Sequence, residues 1–141
     1  MDFQEENIIK NEIEILMMSP LTWAYVGDSV YEQYIRTYLV NTTNLNPHKM
    51  HINSIKFVKA GAQANILKKL IEEILNDDEK DIVRRGRNTQ NHHLPKHASV
   101  EEYMYSTAFE GLIGYLYLTK QNNRLKIILE KCIEYVTNQT I

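Results

Sequence analysis

Cysteine, proline and glycine are all scarce in this sequence: among 141 residues there are one Cys, three Pro and five Gly. The lone Cys132 excludes an intrachain disulfide, and its apolar surroundings suit a small core side chain in a reducing compartment. Long hydrophobic runs are missing too; the longest, Leu112 to Leu118, is far too short to span a bilayer. Met1-Asp2-Phe3-Gln4-Glu5-Glu6 sets acids where a secretory leader needs basic residues, so a soluble cytoplasmic protein away from membranes is expected. There is no excess of positive charge: Lys+Arg 16 against Asp+Glu 18 leaves a net charge of −2. That excludes a chain basic throughout and confines any nucleic-acid contact to a local patch. Glycine-rich phosphate loops, nucleophile elbows and dinucleotide fingerprints are absent, which leaves ATP chemistry and acyl transfer without support.

What is present is ordinary globular material, 43% hydrophobic and 24% charged. The length fits one domain spanning residues 1–141, with no linker or internal repeat to divide it. Strand-like alternation is hard to find, and the fold class expected is all-α. Ser19-Pro20 reads as N-cap and first helical position, followed by Leu21, Ala24, Tyr25, Asp28, Tyr31, Ile35 and Leu39 at spacings of three and four. Asn46-Pro47 repeats the start signal and opens helix to about Leu75, interrupted near Gly61. A short helix is expected from Asp77-Asp78, ending at Arg84-Arg85-Gly86, with acids at its positive end and cations at its negative end. Arg87 to Ala98 is polar, contains Pro95 and reads as a long loop, the kind that is commonly functional. Ser99-Val100-Glu101-Glu102 has the spacing of a capping box and opens a helix through Leu116-Tyr117; a last helix carries Leu125, Ile128, Leu129, Cys132, Ile133 and Val136.

Two acids break otherwise apolar helices. Asp28 sits within Tyr25-Val26-Gly27-Asp28-Ser29-Val30-Tyr31, and Glu110 within Phe109-Glu110-Gly111-Leu112-Ile113. A buried carboxylate is expensive unless it is paired or binds a cation. Two such helices should both be central, so their acids can meet, and paired carboxylates suit a hard cation such as Mg²⁺. Gly27 and Gly111, beside the acids, are expected to permit close approach of a helix or substrate, and Glu32, one turn after Asp28, can enter the same site. Structural pairing with core Arg or Tyr groups explains the acids equally well, and the pattern alone leaves both readings open.

The segment from Arg84 to His97 holds Arg84, Arg85, Arg87 and Lys96 with no acid, a footprint for phosphates, and Asn88 adds an amide that can reach hydroxyls or base edges. His92, His93 and His97 match no closed zinc pattern. The nine tyrosines fall mostly at helical spacing and read as core or interface.

The residues Tyr25-Val26-Gly27-Asp28-Ser29-Val30-Tyr31-Glu32 resemble the signature of the ribonuclease III catalytic domain. Phe109-Glu110-Gly111-Leu112-Ile113-Gly114-Tyr115-Leu116 resembles its second acidic motif. With Arg84-Arg85-Gly86-Arg87-Asn88 and the tyrosine before Glu32, the nearer likeness is to the mini-ribonuclease III branch, which lacks the double-stranded-RNA-binding domain. The resemblance implies a helical bundle like the ribonuclease III endonuclease domain, assembled as a homodimer. It implies cleavage of double-stranded RNA with Mg²⁺, Mn²⁺ being able to substitute, to leave 5′-phosphate and 3′-hydroxyl ends. In the mini branch the substrate is the large-subunit (23S) ribosomal RNA precursor, and a ribosomal protein that presents the RNA is a conceivable partner. Carried over by position, Asp28 and Glu110 become catalytic metal ligands, with Glu32 a candidate third, and Tyr25 matches an interface aromatic. Arg84, Arg85, Arg87, Asn88 and Lys96 become the RNA-binding set. Ala24 and Thr107 depart from the pattern, standing where full-length ribonuclease III has further acids, so water or Glu32 must complete the coordination. A non-catalytic RNA-binding module is the alternative those departures raise. A helical nucleotide pyrophosphohydrolase is another, although its usual E-x-x-E clusters are missing from the central helices.

Overall fold

Side-chain caps set where most of the helices begin. The computed structural model describes residues 10–89 and 99–138, and seven helices lie within them. In α1 (Glu12–Leu16), Asn11 and Glu14 form a reciprocal capping box. Ser19 accepts from Leu21 N–H at the head of α2 (Pro20–Thr42), and Asn46 from Lys49 N–H at the head of α3 (Pro47–Val58). Lys59 ends α3 and begins α4 (Ala60–Glu73) with no side-chain cap. Asn76 and Glu79 box the start of α5 (Asp77–Asn88). Ser99 accepts from Glu102 N–H to open α6 (Val100–Leu118), and α7 (Asn122–Thr137) follows. Each such cap satisfies an N–H that would otherwise lack a partner, stabilising its helix by about 1 kcal/mol.

These elements match the expected starts at Ser19-Pro20, Asn46-Pro47, Asp77 and Ser99, with three differences. The break expected near Gly61 falls at Lys59. The helix expected to stop at Gly86 continues to Asn88, because Gly86 is a packing glycine: a methyl group there would press within 2.8 Å of Ala108 Cα on α6. Arg87 and Asn88 are therefore helical, and the rest of the expected loop, with His92, His93, Lys96 and His97, lies outside the described residues. At Ser99 only half of the capping box forms, since the Glu102 carboxylate is turned toward Gly61.

The bundle is built around α6, which packs on α2, α4, α5 and α7. From Thr107 to Leu116 every residue of α6 but Glu110 is buried. Tyr31 of α2 meets Phe109 edge to face at 4.8 Å and donates to the carbonyl of Phe57 at 2.9 Å, tying α2, α3 and α6 together. Trp23, fully buried, donates to the carbonyl of Ile15 and holds α1 to the bundle. Cys132 is buried in the core, as expected. Among the described residues no helix is long and apolar enough to cross a membrane.

Candidate active site

Two glycines determine how closely α2 and α6 cross. A side chain on Gly27 would overlap the carbonyl of Glu110, and one on Gly114 would overlap the carbonyl of Trp23. The backbones therefore touch, and the residue after Gly27 is delivered beside the residue whose carbonyl Gly27 covers. Asp28 and Glu110 are brought close enough for their carboxyls to act on each other. Gly111, expected to serve the close approach, does not: the nearest atom to a methyl there is 3.7 Å away, and Gly114, one turn on, is the contact glycine.

Asp28 is exposed and Glu110 half-buried. They line an open cleft of about 650 Å³ together with Ala24, Tyr25, Ser106 and Thr107. Burial, the neighbouring Asp28 carboxyl and the charge of Glu32 push the Glu110 carboxyl up to about 8. The polar Gln63 side chain nearby pulls it the other way. Gln63 is itself fixed, because Ser106 Oγ donates to its Oε1 at 2.6 Å. Near neutral pH such a pair needs either a shared proton or a cation. Two carboxylate donors on rigid helices, beside space that water can fill, fit a hard divalent ion that keeps several waters.

The Ribonuclease III domain model matches residues 21–121, the stretch that contains both acids, Gln63 and the glycine crossing. The chain belongs to the ribonuclease III family. It is 43% identical over 136 residues to Mini-ribonuclease 3 of Thermoanaerobacter sp. (strain X514), covering 96% of this chain and 95% of that one. It is also 43% identical over 140 residues to Mini-ribonuclease 3 of Staphylococcus aureus, covering 99% and 100%. A crystal structure of a Fusobacterium nucleatum protein superimposes with a TM-score of 0.77 at 30% identity, over 89% of this chain and 98% of that one. The mini-ribonuclease III resemblance thus spans nearly the whole chain, and the protein is a ribonuclease III-type endoribonuclease.

Ala24 and Thr107, at positions where full-length ribonuclease III carries acids, line the cleft with apolar and hydroxyl groups. Glu32 is close enough for its charge to act on Glu110, but its Oε1 pairs with Arg36 at 3.2 Å. Among the described residues no three acids, histidines or cysteines are grouped to hold a metal, so the structure gathers two of the three expected ligands. Tyr25 is 83% exposed at the mouth of the cleft.

The expected RNA-binding residues divide. Arg84 is open, with its nearest carboxylate, Asp81, at 3.8 Å, and Asn88 is exposed. Arg85 is turned into the protein: Nη1 donates to the Leu16 carbonyl at 2.6 Å, Nη2 donates to the Met18 carbonyl at 3.2 Å, and the guanidinium stacks on Trp23. Arg87 is half-buried over the Tyr105 ring at 4.5 Å. Its Nε has no hydrogen-bond partner among the described residues. Gln63 was not singled out from the sequence. The signal was there, since it falls in the apolar row of Ile66, Leu67 and Leu70, a buried polar group in a helical stripe just like Asp28.

Proposed function

We propose that this chain cleaves double-stranded RNA with a divalent cation, Mg²⁺ or in its place Mn²⁺, leaving 5′-phosphate and 3′-hydroxyl ends. Its substrate is the 23S ribosomal RNA precursor in the cytoplasm, presented with the help of a ribosomal protein, and it works as a homodimer. The observation that carries this reading is the closeness of Asp28 and Glu110 in an open cleft.

Asp28 and Glu110 would hold the cation. When bound, the ion supplies charge that lets water act as a nucleophile near neutral pH and offsets the negative charge gathering on the phosphate. The remaining work belongs to the chain. Gln63 orients the Glu110 carboxylate, and the α2–α6 crossing fixes the spacing of the acids. Arg84 and Asn88 offer open donors to the RNA backbone. Water displaces the ribose 3′ oxygen, which leaves with a proton. Tyr25, large and exposed, is the candidate dimer contact.

End-labelled RNA duplex incubated with Mg²⁺ or with chelator, beside folded Asp28→Asn, tests the reading. Cleavage that needs both Mg²⁺ and Asp28, and yields 5′-phosphate ends, is the expected result. Duplex binding without cleavage overturns it. Light scattering of wild type and Tyr25→Ala tests the dimer, and a monomeric mass for wild type at micromolar concentration removes that part.

A further inference from the structure

Between Glu32 and Glu72 the chain contains no Asp or Glu, yet it carries Arg36, Lys49, Lys56, Lys59, Lys68 and Lys69. In a protein of net charge −2 this is a local excess of positive charge along the chain. Two of the six are ion-paired, Arg36 with Glu32 and Lys68 with Glu101 at 2.9 Å, and Lys69, on α4, lies over the Tyr135 ring of α7. The other three belong to α3 and its end. Lys49, Lys56 and Lys59 are exposed, and among the described residues none forms an ion pair. Lys56 Nζ lies over the ring of its own neighbour, Phe57, 5.4 Å from the centroid, and the residue stays exposed.

Their placement forms a line. Seven residues separate Lys49 from Lys56, two turns of helix, so they share a face about 10 Å apart along the axis. Lys59 terminates the helix, and the next residue, Ala60, lines the cleft that holds Asp28 and Glu110. The row therefore runs from the outer end of α3 to the rim of the candidate catalytic cleft. Ammonium groups in a row, none of them ion-paired among the described residues and continuous with a site that must receive a phosphate, match a polyanionic backbone better than a folded acidic surface.

We propose that the outer face of α3, through Lys49, Lys56 and Lys59, grips the phosphate backbone of the same RNA duplex that is cut at Asp28 and Glu110. This grip rests on the reading of the chain as a double-stranded-RNA endonuclease and adds a binding surface separate from the Arg84–Asn88 region.

The test uses the full chain with Lys49, Lys56 and Lys59 all changed to Gln, and a second variant with all three changed to Arg. Binding of a labelled duplex is measured in chelator, so that no cutting occurs, across roughly 50 to 200 mM salt. The Gln variant should keep the wild-type melting temperature, because these side chains hold nothing together. Its plot of log affinity against log salt should be shallower by about two to three units. In Mg²⁺ its KM for RNA should rise while kcat stays within about twofold of wild type, as expected when binding that is uniform along the reaction is removed. The Arg variant should restore both. Wild-type slope and KM in the Gln variant overturn the proposal, including the case where that variant instead loses capture of an acidic protein. If wild type neither binds nor cuts duplex RNA, the functional reading itself has failed; tight wild-type binding with an indifferent Gln variant fails α3 alone.

Discussion

Gly27 of α2 and Glu110 of α6 are in backbone contact, with no room between them for a side chain. The glycine is thus part of the candidate site although it carries no chemistry. Gly27→Ala must push the helices apart, and overpacking against backbone should destabilise the protein by about 3 kcal/mol. A loss of that size lowers the melting temperature by roughly 10 °C in a chain of this length. Nuclease activity should fall even where the variant remains folded, because Asp28 and Glu110 separate. Gly111→Ala is the control: space exists there, and its higher helix propensity should leave stability within about 1 kcal/mol of wild type or slightly above it. Thermal melts and cleavage rates of the two variants check the contrast.

Glu110 imposes a pH dependence on the cation-free protein. Its carboxyl is raised from 4.5 to about 8 by burial and by Asp28. A group whose folded value lies above its unfolded value stabilises the fold while protonated, and that contribution is lost as pH rises through the folded value. Cation-free wild type should therefore lose stability between about pH 4.5 and pH 8 as Glu110 gives up its proton. Glu110→Gln should flatten the dependence, and Mg²⁺ added at pH 8 should restore wild type but not the variant. Urea denaturation at several pH values, with and without the cation, measures this.

The two acids could be found in the sequence because a charge in an apolar stripe is a local anomaly, visible without knowing what packs on it. The helix starts were legible for the same reason: Ser19-Pro20 and Asn46-Pro47 act on their own first turn. The glycines were harder. Gly86 after two arginines looks like a helix stop, and only Ala108, on another helix, makes it a contact residue. Gly111 and Gly114 are equivalent by composition, and the crossing geometry alone selects the second. Arg85 likewise read as a free cation because its acceptors, the carbonyls of Leu16 and Met18, lie far away in sequence. α1 went unread, since five residues are too few to display a period.

Arg84 and Arg85 are neighbours with different duties. Arg85→Ala removes two hydrogen bonds to carbonyls and a stacking contact on Trp23, so it should lower stability by about 2 kcal/mol. Its KM for RNA should change little. Arg84→Ala should do the reverse, leaving the melting temperature alone and raising KM with a shallower salt dependence. Equal effects of both variants on KM would return Arg85 to the RNA surface.

Gln63 offers the sharpest test of how the pair is held. Buried at 3% exposure, it accepts from Ser106, and its side chain lies near enough to Glu110 to lower that carboxyl, so the Ser106 hydroxyl sets which end of the amide faces the carboxylate. Gln63→Leu keeps the volume and removes both the bond to Ser106 and the amide beside Glu110. Groups that orient a ligand typically matter by 10–100-fold, so the variant's cleavage rate should fall by roughly that factor. The Mg²⁺ needed for half-maximal rate should rise, while KM for RNA stays put. Ser106→Ala should show a smaller change in the same direction, since Gln63 keeps its donor but loses its anchor. A merely structural role predicts something else: both variants would melt earlier, with Mg²⁺ dependence unaltered. Measuring the Mg²⁺ response alongside the melting temperature separates positioning of Glu110 from simple packing of α4 on α6.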